Sequence, residues 1–443
     1  MAEAVRIIVQ HYDQSTQEVI SEKVLREDEL KKPGCLKDLG YLHLEQIDLL
    51  SRIQDFKIGH QVKLINSDKS CPKCNGKIRA QGRYKSNLHT IFTDHVVDIK
   101  RISCHCGCKL PYTVEGMFGS KLHPDLLKRQ VELGSCQSYE KTAKELNYNS
   151  HIKRPINNHS NVHKAVKRVA DILEADKSRT IKVAVMPAKE LIANIDGGHV
   201  KARGKARSFE AMIASVYKPE NIEVIDKHHK SITSKTTVAS AKNDKQLTMK
   251  ALFKNACKLQ GMSKSTKVIC LADGAENCWS IADSIKNDCA EMLYILDWFH
   301  IGMKFKNNSS AVAEENKELY DNVKWHLWHG NVGKAIMRLE ALSQKATDDK
   351  SKEKLLKLLQ YIINNKNHIV NYEYRMHNNL SYTSNFAEAT VNNLLNVRQK
   401  NKQRMSWSRE GSHNVLQIRS SIYSKTWDKD WHRIEKSIYK QAA

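Results

Sequence analysis

Three apolar runs in this chain each end in a carboxylate: Leu191-Ile-Ala-Asn-Ile-Asp196-Gly-Gly, Lys267-Val-Ile-Cys-Leu-Ala-Asp273-Gly and Met292-Leu-Tyr-Ile-Leu-Asp297. Short apolar runs closed by Asp or Gly read as strands. Residues 209–216 and 221–225 read as two more strands, and 250–260 as a helix. Antiparallel strands first, then alternating helix and strand, restrict the fold to an α/β sheet. Strand ends can bring their carboxylates to one edge of such a sheet, where ligand sites tend to lie.

Hard divalent cations need oxygen ligands, and two-metal phosphoryl transfer needs ions about 3.5–4 Å apart held by shared carboxylates. Asp196 and Asp273 have the chemistry for Mg2+ or Mn2+. A third carboxylate has to come from a later helix. Glu388 in Thr383-Ser-Asn-Phe-Ala-Glu388-Ala-Thr-Val is the candidate, on a helix that Ser384 can cap. Glu410 is the reserve. The competing reading of one Asp-Gly pair is a surface turn, and two such strands in one basic chain weigh against it.

The chain is strongly basic. Its 443 residues hold 72 Lys and Arg against 49 Asp and Glu, a formal charge of +23. The expected partner is a polyanion, and first of all nucleic acid. Residues 1–50 hold ten acids and six bases, a local net of −4 that leaves +27 for the remainder. Residues 396–443 hold eleven bases and four acids. Arg398, Lys400, Lys402, Arg404 and Arg409 are candidate phosphate contacts there, with a solvated face as the alternative. Acidic lipid is the runner-up partner, but a peripheral membrane binder concentrates its charge on one amphipathic helix. Mean hydropathy is −0.57, and no apolar run reaches the roughly 18 residues of a membrane span. Met1-Ala-Glu-Ala-Val-Arg6 has no basic segment followed by an apolar one, so no export signal is expected.

Eleven cysteines are present, an odd number with five clustered. Without an export signal, disulfides are not expected. The cluster reads Cys71-Pro-Lys-Cys74, then Cys104-His-Cys106-Gly-Cys108. Two such knuckles flanking a strand-like segment, Val96-Val97-Asp98-Ile99-Lys100-Arg101-Ile102, fit a zinc ribbon. Cys71, Cys74, Cys104 and Cys106 are the expected Zn2+ ligands, with Cys108 the alternate; a redox pair is the competing reading.

Residues 126–146 read as two short helices broken at Gly134-Ser135, the second capped by Ser138. A third helix from Ser160 carries the apolar stripe Val162, Val166, Val169 and Leu173. Lys164, Lys167 and Arg168 on it fit a helix-turn-helix reading DNA; any three-helix packing unit is the plainer alternative. Residues 305–380 read as helices, with Trp325 and Trp328 as core aromatics or base-stacking groups. Residues 1–65 read as helical and acidic, a dimerisation or regulatory segment.

In this order the features resemble the bacterial insertion-sequence DDE transposases of the zinc-ribbon-bearing, Mutator-related kind. The ribbon, the helix-turn-helix with Ser138-Tyr139, the Asp196-Gly-Gly strand, and Leu271-Ala-Asp273-Gly-Ala followed by Trp279 match in sequence. Leu296-Asp297-Trp298-Phe299-His300 resembles the family's Asp-x-x-His motif. Glu388 through Met405-Ser-Trp407-Ser-Arg409 resembles the segment that supplies the catalytic Glu, though Ser384-Asn-Phe-Ala387 lacks the family's glycine.

The resemblance covers about residues 65–425 and implies a ribonuclease-H-like catalytic domain with an all-α insertion, preceded by a zinc ribbon and a helix-turn-helix. The implied segments are 1–65 (N-terminal), 66–115 (ribbon), 120–178 (helix-turn-helix), 180–304 (first part of the catalytic core), 305–380 (insertion) and 381–443 (core end and basic segment). Asp196, Asp273 and Glu388 would bind magnesium. Asp297 and His300 would be accessory active-site residues. The partners would be double-stranded DNA, as transposon ends and target, and further copies of the chain in a homodimer or larger assembly. The location would be the bacterial cytoplasm, at the nucleoid. The alternatives are a catalytically inactive, transposase-derived DNA-binding regulator and a related Mg-dependent nuclease or resolvase.

Overall fold

The structure is a computed structural model that describes residues 3–108, 110–150, 153–179, 185–226, 230–384, 392–400 and 405–440. The chain divides into two compact units, residues 1–169 with 431–443, and residues 170–430.

The first unit opens with an antiparallel hairpin of β1 (Ala4–Tyr12) and β2 (Val19–Glu29). This corrects the expectation that residues 1–65 are helical. Val5, Ile7, Ile8, Val9, Val19 and Ile20 favour a pleated strand. Arg6 and Glu27 face each other across the pair, with Nε and Oε2 2.9 Å apart. Only α1 (His43–Ile65) is a long helix there, and the Glu45 side chain accepts from the Leu42 N–H to cap it.

A second hairpin, β3 (Arg79–His89) with β4 (Asp94–Ser103), follows. Val97 and Ile99 alternate with more exposed residues along β4 and pack against Ile58 of α1 and Val114 of α2 (Val114–Phe118).

Next come α3 (Pro124–Cys136), α4 (Tyr139–Tyr148) and α5 (His159–Ser178). Ser138 caps α4 by accepting from Lys141 N–H. Residues 134–135 are not a break, because α3 runs through them. Gly134 is there for packing: a Cβ on it would lie 2.9 Å from both Val162 Cγ1 and Val166 Cγ2 of α5. Arg154 is buried and holds the β3–β4 turn. It donates to the Asp94 carboxylate and to the carbonyls of Thr90, Ile91 and Thr93.

The second unit is built on one five-stranded sheet in the order β11-β10-β5-β6-β9. The strands are β5 (Glu190–Lys201), β6 (Ser208–Tyr217), β9 (Thr236–Ser240), β10 (Lys267–Ala272) and β11 (Glu291–Leu296). β10 runs parallel to both β5 and β11, while β6 is antiparallel to β5 and β9. The strand expected at 221–225 is not part of this sheet. β7 (Ile222–Val224) pairs only with β8 (Lys230–Ile232), and β9 takes its place in the sheet.

Alternate residues of β5 face opposite layers. Leu191, Ala193 and Ile195 pack with Leu252 and Phe253 of α6 (Leu247–Leu259) and Ile281 of α7 (Glu276–Asp283). Ile192, with Ile269, Leu271 and Ile295, faces a helical layer. That layer comprises α8 (Trp298–Asn308), α9 (Lys317–Trp328), α10 (Val332–Gln344), α11 (Asp349–Asn364) and α12 (Tyr372–His377). The helical reading of 305–380 therefore holds. A turn at Asn392–Asn396 and Val397–Gln399 leads to α13 (Arg409–Tyr423), followed by α14 (Trp427–Ile438). α13 covers the short strand β9, with Gln417 Nε2 donating to Ala239 O at 2.8 Å.

Candidate active site and cysteine cluster

Strand register places the three aspartates. Ile195, Ala272 and Leu296 are aligned across β5, β10 and β11. Asp196, Asp273 and Asp297 are each one residue further on, so they stand at the same level on three adjacent strands. The Asp297 N–H donates to Ala272 O at 2.9 Å and fixes that level. β5 does not stop at Asp196, as the sequence suggested. It continues to Lys201 paired with β6, while β10 ends before Asp273. The Asp196 carboxylate therefore sits where its parallel neighbour has left the sheet.

Asp196 Oδ1 accepts the Gly197 N–H at 2.7 Å. Asp273 Oδ1 accepts the Ala275 N–H at 2.9 Å and the Cys278 thiol at 3.4 Å. No described residue donates to Oδ2 of either. Burial pushes the Asp196 carboxyl above the usual carboxylate range. The charges of Asp273 and Asp297 push the same way, while His300 and the Gly197 N–H pull it down. The Asp273-Gly274 turn needs a left-handed backbone, φ +90°, which glycine supplies. Tyr361 of α11 donates to the Asp273 carbonyl at 2.8 Å and ties the turn to the helical layer.

Asp297 plays a different part. It is 1% exposed. It caps α8 by accepting the Phe299 N–H at 3.1 Å, and it also accepts the N–H and hydroxyl of Ser384. Its Oδ2 lies 3.7 Å from His300 Nε2, and the His300 ring is partly exposed beside the aspartates. Asp297 is thus a positioning group for α8, His300 and Ser384. Glu388 lies outside the described residues. Glu410, the reserve, is exposed in the first turn of α13.

Sequence spacing missed Lys400, Glu210 and Cys278 as neighbours of the aspartates. A Cβ on Gly198 would lie 2.1 Å from Leu395 Cδ2 and 3.5 Å from Lys400 Nζ, so glycine is what lets this segment approach β5. Burial lowers the Lys400 ammonium, and Asp196 works against that shift. Glu210 of β6 lies over Gly197 and accepts from Asn277 Nδ2 at 2.7 Å. Nothing in a linear pattern marks Glu210, because antiparallel register alone brings it there.

Other basic candidates are corrected. Arg398 is fully buried and stacks 4.6 Å from the Trp407 ring, so it is no phosphate contact. Arg409 packs over Phe209 and donates to Ala241 O at 3.2 Å, which directs it inward. Lys402 and Arg404 lie outside the described residues. Lys164 and Arg168 are exposed on α5, and Lys167 is half-buried.

The cysteines make the most compact ligand set. Sγ atoms of Cys71, Cys104, Cys106 and Cys108 all lie within 4.8 Å of one another. Cys71 and Cys108 are 3.2 Å apart, and Cys71 and Cys106 3.9 Å. A tetrahedral site with Zn–S bonds of about 2.3 Å has sulfurs about 3.8 Å apart, so this set can hold a metal ion. Cys108 belongs to the four. Cys74 sits 3.3 Å from Cys104 but outside that group. The Cys74 N–H, the Cys108 thiol and the Lys73 N–H pull the Cys71 thiol down to about 6, toward the thiolate that a metal requires. Among the described residues no other three or more His, Cys, Asp or Glu ligand atoms come this close, and the three aspartates are more widely spaced.

No protein-family profile matches this chain, and no curated protein matches it.

Proposed function

We propose that this chain is a DDE-type DNA transposase with a ribonuclease-H-like catalytic unit, a zinc ribbon and a helix-turn-helix. The observation that carries the reading is the common level of Asp196, within β5, and Asp273 and Asp297, just past the ends of the neighbouring β10 and β11. Two supporting features are the sheet order β11-β10-β5-β6-β9, with only β6 reversed against its neighbours, and the helical layer between Asp297 and Ser384. The hairpin β3–β4, with one cysteine knuckle before β3 and the other after β4 so that both meet at its open end, supports the ribbon. Ser138-capped α4 with basic α5 supports the DNA-binding helices.

The donor chemistry of the site fits hard cations. Asp196 and Asp273 each keep one oxygen without a donor among the described residues, and burial, with the charges of Asp273 and Asp297 beside it, raises Asp196. These two residues, with Glu388 proposed as the third, would hold Mg2+ or Mn2+. Such ions, when bound, stabilise charge on the attacking and leaving oxygens of an in-line displacement. In the first reaction a water oxygen bonds to phosphorus at the element's end, the 3′ oxygen leaves as a hydroxyl, and the water's other proton goes to solvent. In the second that 3′ hydroxyl attacks a target phosphodiester and displaces its 3′ oxygen. Each reaction makes one P–O bond and breaks one. The chain's own residues align the strand: His300 faces the site, held beside Asp297, and Lys400 offers a cation beside Asp196. The reaction needs no covalent protein–DNA bond.

A plasmid carrying the sequences that flank the coding region tests this. With Mg2+ the wild type should nick at the element's ends and join them to a target plasmid. Binding without cleavage would favour the regulator, and cleavage without joining the nuclease.

A further inference from the structure

Past Asp196 the β5–β6 hairpin runs on without β10, pairing Gly197 with Met212 through to Lys201 with Ser208. Its tip reads Lys201-Ala-Arg203-Gly-Lys205-Ala-Arg207, four cations in seven residues. All four are exposed. None of them meets a carboxylate among the described residues. Elsewhere in the same unit Lys242, Lys254 and Lys267 are paired, with Glu174, Asp288 and Glu291. Only alanine and glycine stand between the tip cations, and Gly204 takes the left-handed turn at φ +102°.

The plainer reading of a charged turn is a solvated one. Two relationships weigh against it. First, the arm is braced. Trp407 pairs with the edge of β5 that β10 has left open: its N–H donates to Lys201 O at 2.9 Å, and the Arg203 N–H donates to Trp407 O at 2.8 Å. Trp407 and Phe209 are buried at the base of the arm, under Arg398 and Arg409. The tip is therefore ordered before any contact, which lowers the entropy cost of binding. Second, the cations form a line. Lys400 Nζ lies 3.5 Å from a Cβ placed on Gly198, two residues beyond Asp196. Lys201 stands five residues beyond Asp196, about 17 Å at about 3.3 Å per residue. That distance equals about five base pairs of duplex at about 3.4 Å each. A membrane would meet a plane of charge, and an acidic peptide could bend to any pattern. A stiff straight track of unpaired cations fits a stiff straight polyanion.

We infer that the β5–β6 hairpin is an arm that lies along the backbone of duplex DNA, with Lys201, Arg203, Lys205 and Arg207 as phosphate contacts. The inference rests on the transposase reading for the DNA's presence at the aspartates, but not on cleavage. Such contacts orient a duplex without reading its sequence, so the arm would hold any DNA that enters the site.

The probe is a random-sequence blunt duplex without Mg2+, bound to the full-length chain and read by anisotropy over a salt series. The triple variant Arg203→Gln, Lys205→Gln, Arg207→Gln should bind at least ~10-fold more weakly at low salt, and its log–log salt slope should be shallower by about 2–3. Arg203→Gln and Lys205→Gln alone should each take about 1 from the slope. The triple variant should melt at the wild-type temperature, because the tip side chains pack on nothing. A charge-matched control, Lys345→Gln, Lys350→Gln, Lys352→Gln, removes three exposed cations from the helical layer and should keep the wild-type slope within about 1. An unchanged slope in the arm variants, or an equal loss in the control, overturns the arm assignment alone. So does a loss confined to phosphatidylserine vesicles, which would make the arm a lipid contact. No DNA binding by the wild type overturns the proposed function and the arm with it.

Discussion

Asp297 and Ser384 are 87 positions apart, yet the Asp297 carboxylate accepts both the backbone N–H and the hydroxyl of Ser384. The same carboxylate caps α8. One buried charge therefore closes the helical layer back onto the strand that carries it. Asp297→Ala removes a helix cap, about 1 kcal/mol, and leaves the Ser384 donors without their acceptor, about 1–3 kcal/mol more. Thermal unfolding should show a loss of about 2–4 kcal/mol, with DNA cleavage lost in parallel. An unchanged melting temperature would mean that this bond network does not form.

Arg154 gives a second stability test, in the first unit. Burial alone would push the Asp94 carboxyl up, but hydrogen bonds from His89 and Arg154 and the Arg154 charge bring it down to about 2. A depressed carboxylate stabilises the fold above its unfolded value near ~4. That contribution disappears as pH falls from about 4 toward 2. Arg154→Met should cost about 1–3 kcal/mol at neutral pH, because it leaves the carbonyls of Thr90, Ile91 and Thr93 without their donor; the exposed Asp94 charge, screened by solvent, adds a smaller part that shrinks through that acid window. Urea melts at pH 7 and pH 3 measure both.

How far the sequence led depends on the range of each interaction. The runs ending at Asp196, Asp273 and Asp297 were legible because a buried strand leaves a continuous apolar signature, and so were Ser138 as a cap and the stripe on α5. β9 was not, since Thr-Thr-Val-Ala-Ser is short and small, and its place is fixed by α13 covering it. Gly134 read as a break because glycine's two uses, freedom and closeness, look alike in sequence; here Val162 and Val166 require closeness. Arg398 read as a surface cation because its run is basic, but Trp407 provides a buried face for it. Glu210 left no local signal, because strand register brings it in, and Lys400 read only as a phosphate contact, because the close approach at Gly198 is what sets it beside Asp196.

The cysteine geometry separates two ligand sets. Cys108→Ser should abolish binding of about one zinc per chain, as Cys71→Ser and Cys106→Ser should, whereas Cys74→Ser should retain it. Atomic absorption on purified variants, with a chelator-and-thiol titration of the wild type, reads this directly. Zinc retained in Cys108→Ser and lost in Cys74→Ser would reverse the assignment.

Asp196 carries a sign that can be tested without DNA. Burial, with Asp273 and Asp297 beside it, raises its pKa in the folded chain. A raised carboxyl favours the fold in its protonated form, so stability falls as pH rises from the unfolded value of ~3.9 through the folded one. Asp196→Asn removes that charge. The metal-free variant should melt at a higher temperature than the wild type at pH 7, with the gap narrowing toward pH 4. Mg2+ should raise the wild-type melting temperature and not that of the variant. A variant that melts lower at pH 7 would contradict the strained-charge account.

The most direct test of the central claim is single-turnover nicking of end-bearing DNA by the wild type and Asp273→Asn, each with Mg2+ or with EDTA. At the proposed two-metal site Asp273→Asn exchanges one carboxylate oxygen and the negative charge for an amide, which predicts Mg2+-dependent nicking by the wild type and a fall of at least ~10³-fold in the variant, with DNA affinity unchanged within about twofold. Nicking by Asp273→Asn at the wild-type rate, or nicking that persists in EDTA, would contradict it.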